Sequence, residues 1–67
     1  MSKEEDSPYA AMTINERLYA AELTGAFGAA ARSRDRAEMI RILEQVDAPD
    51  AAYSADTILG DPERYGY

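Results

Sequence analysis

The residues able to do chemistry in this chain of 67 are few, because it contains no histidine and no cysteine. Imidazole and thiolate metal sites, disulfides and thiol redox chemistry are excluded together. What remains are hydroxyls and carboxylates. Ser33, Ser54, Thr57 and the tyrosines lack an imidazole to activate them, and there is neither a Gly-x-Ser-x-Gly elbow nor a glycine-rich phosphate loop. Asp47, Asp50 and Asp56 could place oxygens around a hard cation, but their spacing lacks the EF-hand pattern and its closing Glu. Helix capping accounts for the first two more simply. The expectation is a non-catalytic protein with no cofactor, no metal and no small-molecule substrate.

Two groups of residues suit contact with another macromolecule. Arg32, Arg34, Arg36 and Arg41 form the only basic concentration, half offset by Asp35 and Glu38. They read either as a solvated joint between helices or as a docking point for an acidic protein surface, with Arg34 and Arg36 the candidate contacts. The second group is Tyr65-Gly66-Tyr67 at the C-terminal end. Tyrosine combines a rigid apolar ring with a hydroxyl, which makes Tyr65 and Tyr67 candidate partner-binding residues. The alternative is that Tyr65 folds back to close the core and Tyr67 frays.

Charge narrows the partners. A net charge of −6 opposes direct nucleic-acid binding, because affinity for a polyanion comes mainly from Lys and Arg neutralising phosphates. The stretch from Glu44 to Glu63 holds six acids and no base, so the chain is electrostatically polarised. No run of about 18 apolar residues is present, and Met1-Ser2-Lys3-Glu4-Glu5-Asp6 is unlike a signal peptide. No membrane association and a cytoplasmic location are expected.

Helices must position these groups. Thr13-Ile14-Asn15-Glu16 is a capping box, and Ile14, Leu18, Ala21 with Tyr19, Leu23, Ala26, Phe27 and Ala30 recur at helical spacing. This predicts a first helix over about 14–32. Gly25 and Gly28 fall inside it and, with Phe27, read as a small-residue face for close approach of another helix. Asp35 and Glu38 open a second helix to about Val46, with Met39, Ile42, Leu43 and Val46 on its buried side, forming a helical hairpin with the first. Asp47 is the expected cap of a third helix carrying Ala52, Ala55, Ile58 and Leu59, closed by Gly60 in a left-handed conformation. Asp61-Pro62 then starts one more short turn. The predicted architecture is all-α: a small three-helix bundle, the hairpin plus a third helix, over residues 12–67. Residues 1–11 read as a flexible or extended N-terminal arm.

Core composition points toward association. Ile, Leu, Val and Phe number ten of 67, about 15%, whereas 13 residues are Ala. Alanine favours helix over coil, so thin helices follow. A core this small supplies only about 3–5 kcal/mol, and a bound partner would add the missing apolar burial. The expected function is that of a small accessory or regulatory subunit on a larger protein. The alternatives are an acidic inhibitor imitating nucleic acid, as some phage proteins do, and a homodimer of this chain alone.

From Met12 to Tyr67 the chain resembles a family of short bacterial helical proteins of uncharacterised function. The resemblance is carried by Met12-Thr13-Ile14-Asn15-Glu16-Arg17-Leu18, Arg34-Asp35-Arg36-Ala37-Glu38-Met39 and Ala55-Asp56-Thr57-Ile58-Leu59-Gly60-Asp61-Pro62-Glu63-Arg64-Tyr65-Gly66-Tyr67. It implies helical boundaries over that span and no particular activity.

Overall fold

The structure is a computed structural model that describes residues 7–67. Among the described residues it is all-helical, with α1 at Ile14–Ala20, α2 at Thr24–Arg32, α3 at Arg36–Gln45, α4 at Ala51–Gly60 and a 3-10 helix at Pro62–Tyr65. Four α-helices therefore stand where three are predicted, because the expected helix over 14–32 is broken at Ala21-Glu22-Leu23.

That break has a definite construction. The Leu23 N–H donates to the Leu18 carbonyl at 2.8 Å and the Glu22 N–H to the Tyr19 carbonyl at 3.1 Å. Glu22 sits between them at φ 60°, in the left-handed region. This is a Schellman closure, normally marked by glycine. The same pair of bonds closes α2, with Arg34 at φ 57°, and α3, with Asp47 at φ 56°. Gly66, at φ 88°, takes the corresponding place after the 3-10 helix. Gly60, by contrast, is the last residue of α4 and is not left-handed, so its predicted capping role is not realised.

The helix starts follow sequence more closely. Thr13 accepts from the Glu16 N–H at 3.2 Å while the Glu16 carboxylate accepts from the Thr13 N–H at 2.9 Å, completing the capping box. Asp35 accepts from the Glu38 N–H at 3.2 Å at the start of α3. Asp50, not Asp47, caps α4, accepting from the Tyr53 N–H at 3.3 Å. Pro49 and the left-handed Asp50 turn the chain so sharply that the helix begins later than the Asp47 signal implies.

The core is built around α3, whose Met39, Ile42 and Leu43 are fully buried. Helices α2 and α4 both pack on it. They present mostly alanines there, Ala30 and Ala31 from α2 and Ala51 and Ala55 from α4. Small residues on the flanks with large ones in the centre let two helices close on a third despite the short supply of branched side chains. Leu18, Phe27, Val46 and Ile58 complete this cluster. The radius of gyration is 11.3 Å, matching the roughly 11 Å of a folded chain of this length, so the thin core does close.

The expected arm over 1–11 is partly folded. Within the described residues, Ala10 and Met12 donate backbone bonds to Ser7 and Tyr9, and Tyr9 packs against the core. The Ser7 hydroxyl donates to the Asp47 carboxylate at 2.8 Å. Residues 7–11 are thus docked on the α3–α4 joint; the rest of the predicted arm, 1–6, lies outside the described residues.

Candidate functional site: a tyrosine-rimmed cleft

Three segments meet around one cleft. The start of α1 brings Thr13, Ile14 and Asn15. One side of α4 brings Tyr53, Ser54, Thr57 and Ile58, and the C-terminal segment brings Arg64, Tyr65 and Tyr67. They enclose a cleft of about 460 Å³ with Phe27 of α2 also in its wall. That volume lies in the range of clefts that hold small molecules or a few residues of a bound segment.

The rim is aromatic and open. Tyr53 is 68% exposed and Tyr65 43% exposed. Two amphipathic rings held outward on ordered elements are what a surface needs to anchor a partner with little loss of side-chain freedom. Tyr67 is placed differently. Its ring meets Phe27 edge to face, with centroids 5.8 Å apart and planes at 68°. Burial pushes the Tyr67 phenol up, and the Arg32 guanidinium pulls it partly back.

Gly28 lies beside that seat. A Cβ at Gly28 would stand 3.4 Å from the Tyr67 ring, an ordinary contact, and 3.2 Å from a nitrogen at the end of the flexible Arg32 side chain. Gly28 therefore borders the chain's own C-terminal ring without that ring requiring a glycine there. Of the two terminal tyrosines expected to meet a partner, Tyr67 packs on Phe27 and Tyr65 stays exposed, the reverse of the alternative in which Tyr65 folds back and Tyr67 frays.

The other candidates separate from this cleft. Phe27 is fully buried, so it contributes a wall and core volume but no free surface. Gly25 has nothing within 4 Å of a would-be Cβ and sits in a wide depression with Tyr19, Glu22 and Thr24, so it makes no close helix contact. Arg34 donates to the Leu59 carbonyl at 3.2 Å, satisfying the C-terminal end of α4. Arg36 forms a two-point pair with Asp56, at 2.7 and 3.2 Å, joining α3 to α4. That pair holds the Asp56 carboxyl below its ordinary range and raises the Arg36 guanidinium. Arg41 pairs with Glu38 on α3. Arg34 and Arg36 are therefore engaged in tying the fold together. The three aspartates considered for a cation have separate duties as well: Asp47 receives Ser7, Asp50 caps α4 and Asp56 binds Arg36.

Arg17 was not legible as special, yet it is the one buried charged residue among those described, at 3% exposure. Its Nε donates to the Met12 carbonyl at 3.0 Å, and its Nη1 donates to the carbonyls of Val46 at 3.1 Å and Asp47 at 2.8 Å. A guanidinium is well suited to this, offering several donors in a fixed fork to the negative end of α3. Arg17 follows Ile14 by three residues and precedes Leu18, so helical spacing sets it on the apolar side of α1, a weak signal that a polar reading hides. Of the lining residues only Phe27, Tyr65 and Tyr67 are among the predicted contacts; the others, Tyr53 and Arg64 included, are identified only by their proximity in the fold.

No family model, curated protein or solved structure matches this chain.

Proposed function

We propose that this chain is a small non-catalytic accessory or regulatory subunit that docks on a larger protein through the cleft between α1, α4 and the C-terminal segment. The observation that carries this reading is the pair of exposed rings, Tyr53 and Tyr65, on the rim of a preformed cleft of about 460 Å³. A core containing five alanines among its twelve buried apolar residues supports it, because a partner would supply burial that the chain itself lacks. No helix of the described residues is long and apolar enough to cross a membrane, and in this reading the chain works in the cytoplasm.

The test is affinity purification of the tagged chain from its native cell, run beside a Tyr53→Ala/Tyr65→Ala double variant, with sizing of the pure protein. A stoichiometric partner that is retained by the native chain and lost by the variant, at unchanged melting temperature, supports the docking role. Retention of the partner by the variant would move the contact elsewhere. A lone folded monomer with no stoichiometric companion would end the accessory-subunit reading.

A further inference from the structure

We infer that the segment of the partner seated in the cleft carries one carboxylate beside an apolar side chain, with Arg64 taking the carboxylate. This rests on the docking role proposed above.

The arginines single out the position. With 13 acids to 7 bases, carboxylates are in excess over the groups that could pair with them. Four of the arginines are engaged: Arg17 in its clamp, Arg34 with the Leu59 carbonyl, Arg36 with Asp56 and Arg41 with Glu38. Arg32 and Arg64 have neither an ion pair nor a side-chain hydrogen bond with any described residue. Both come to the C-terminal segment. Arg64 is the only charged residue among the described residues that line the cleft. Arg32 lies near enough to Tyr67, another lining residue, for its charge to act on that phenol.

Acids next to lining residues in the chain are not paired with Arg64. Glu16 is bonded to the Thr13 N–H and Asp56 to Arg36, and Glu63, although adjacent to Arg64, forms no ion pair with it. None of the three lines the cleft. An arriving carboxylate therefore finds the Arg64 guanidinium exposed and its donors untaken by the described side chains.

The number of cations sets the kind of anion. One guanidinium donates two parallel hydrogen bonds to one carboxylate. A nucleic acid would bring a row of phosphates, for which a single lining cation on a chain at −6 is too little. A lone carboxylate is decided locally, because exposed charges are largely screened beyond about 8 Å at physiological salt.

The rest of the lining seats the apolar side chain. Ile14 is half-buried, and the rings of Tyr53 and Tyr65 are exposed in the same cleft as Arg64. Asn15 and Thr57 add an amide and a hydroxyl able to donate to the segment's carbonyls.

The experiment is an amide chemical-shift titration of the intact 67-residue protein with the end-blocked peptide Gly-Ala-Glu-Phe-Ala-Gly. Parallel titrations use versions with Gln or Lys in place of Glu and Ala in place of Phe, and acetate alone. Saturable shifts at Asn15, Ser54, Thr57 and Tyr65, together with the Arg64 Nε–H, are expected. Affinity should fall at least fivefold with the Gln peptide and severalfold with the Ala peptide or on raising salt, and the Lys peptide should not bind. Arg64→Gln should lose at least fivefold and Arg64→Lys less, with circular dichroism unchanged because the side chain is exposed. Absence of saturable shifts, equal binding of the Gln or Lys peptide, full affinity in Arg64→Gln, or acetate binding as tightly as the peptide would overturn the inference. If a native partner depends on Tyr53 and Tyr65 while Arg64→Gln retains it and the acidic peptide fails to bind, this inference falls and the docking role stands.

Discussion

Two regions of this molecule treat polar and apolar groups in opposite ways. At the α3–α4 joint, Arg17 is drawn inside and donates to Met12, Val46 and Asp47, and the Ser7 hydroxyl closes over Asp47 from outside. At the cleft, aromatic rings stand outside, with Tyr53 and Tyr65 turned to solvent above an apolar wall. The first region invests a charge in holding segments together; the second leaves aromatic surface uncovered, and it is this surface on which the docking role proposed above rests.

The contrast can be broken most directly at Arg17. Arg17→Ala removes a buried guanidinium and strands the carbonyls it serves, so we expect a loss of about 3 kcal/mol. Tyr53→Ala should change stability by less than about 0.5 kcal/mol, as exposed positions do. Urea unfolding followed by circular dichroism measures both, and equal losses would mean that the cleft is as much a part of the fold as the clamp.

A smaller effect separates the two terminal tyrosines. Tyr67→Ala gives up the edge contact with Phe27 and should lower stability by about 1 kcal/mol. Tyr65→Ala should cost well under half of that, and comparison of the two melting curves sharpens the division between packed and offered rings.

Glu22→Gly tests the joint between α1 and α2. Glycine relieves a left-handed strain of about 1 kcal/mol but frees the unfolded chain, leaving a net gain of about 0.5 kcal/mol. A loss instead would mean that the Glu22 side chain supports the turn.

The smallest effect is electrostatic. Hydrogen bonds from Thr13, Arg41 and Arg36 hold the carboxyls of Glu16, Glu38 and Asp56 below their ordinary values. A carboxyl lowered on folding contributes stability above its unfolded pKa and loses it as the pH falls through its folded value. Stability should therefore decline on acidification below the usual carboxylate range. Changing these three residues to their amides should flatten that decline in a series of melting curves. Because all three groups are solvent-exposed, a steep unchanged decline would place the acid sensitivity in other groups.

Most of the helix starts were readable because their signals are local. The Thr13–Glu16 box and the Asp35 cap need only a side chain and a backbone N–H three residues apart. The ends were harder. Sequence reasoning looks for glycine at a left-handed closure, and here Glu22, Arg34 and Asp47 occupy those places while Gly25, Gly28 and Gly60 lie within helices. The missing break in α1–α2 follows from that exchange alone. Gly28 and Tyr67 were each singled out, but their contact spans the chain and is visible only when the C-terminal segment crosses α2. Tyr53 had no distinguishing neighbour in sequence; it becomes part of a site because Tyr65 and Asn15 are brought to the same cleft.

The shortness of α1 has a kinetic consequence. Seven residues are too few to remain helical alone in water, so α1 persists only while it is docked. Its first residues line the cleft and its fourth, Arg17, is the clamp that holds Met12, Val46 and Asp47. Local opening of the molecule should therefore release both together, and amide hydrogens along α1 should exchange with solvent in a single correlated step. The lifetime of the cleft wall is then set by a guanidinium that is not among the residues lining it.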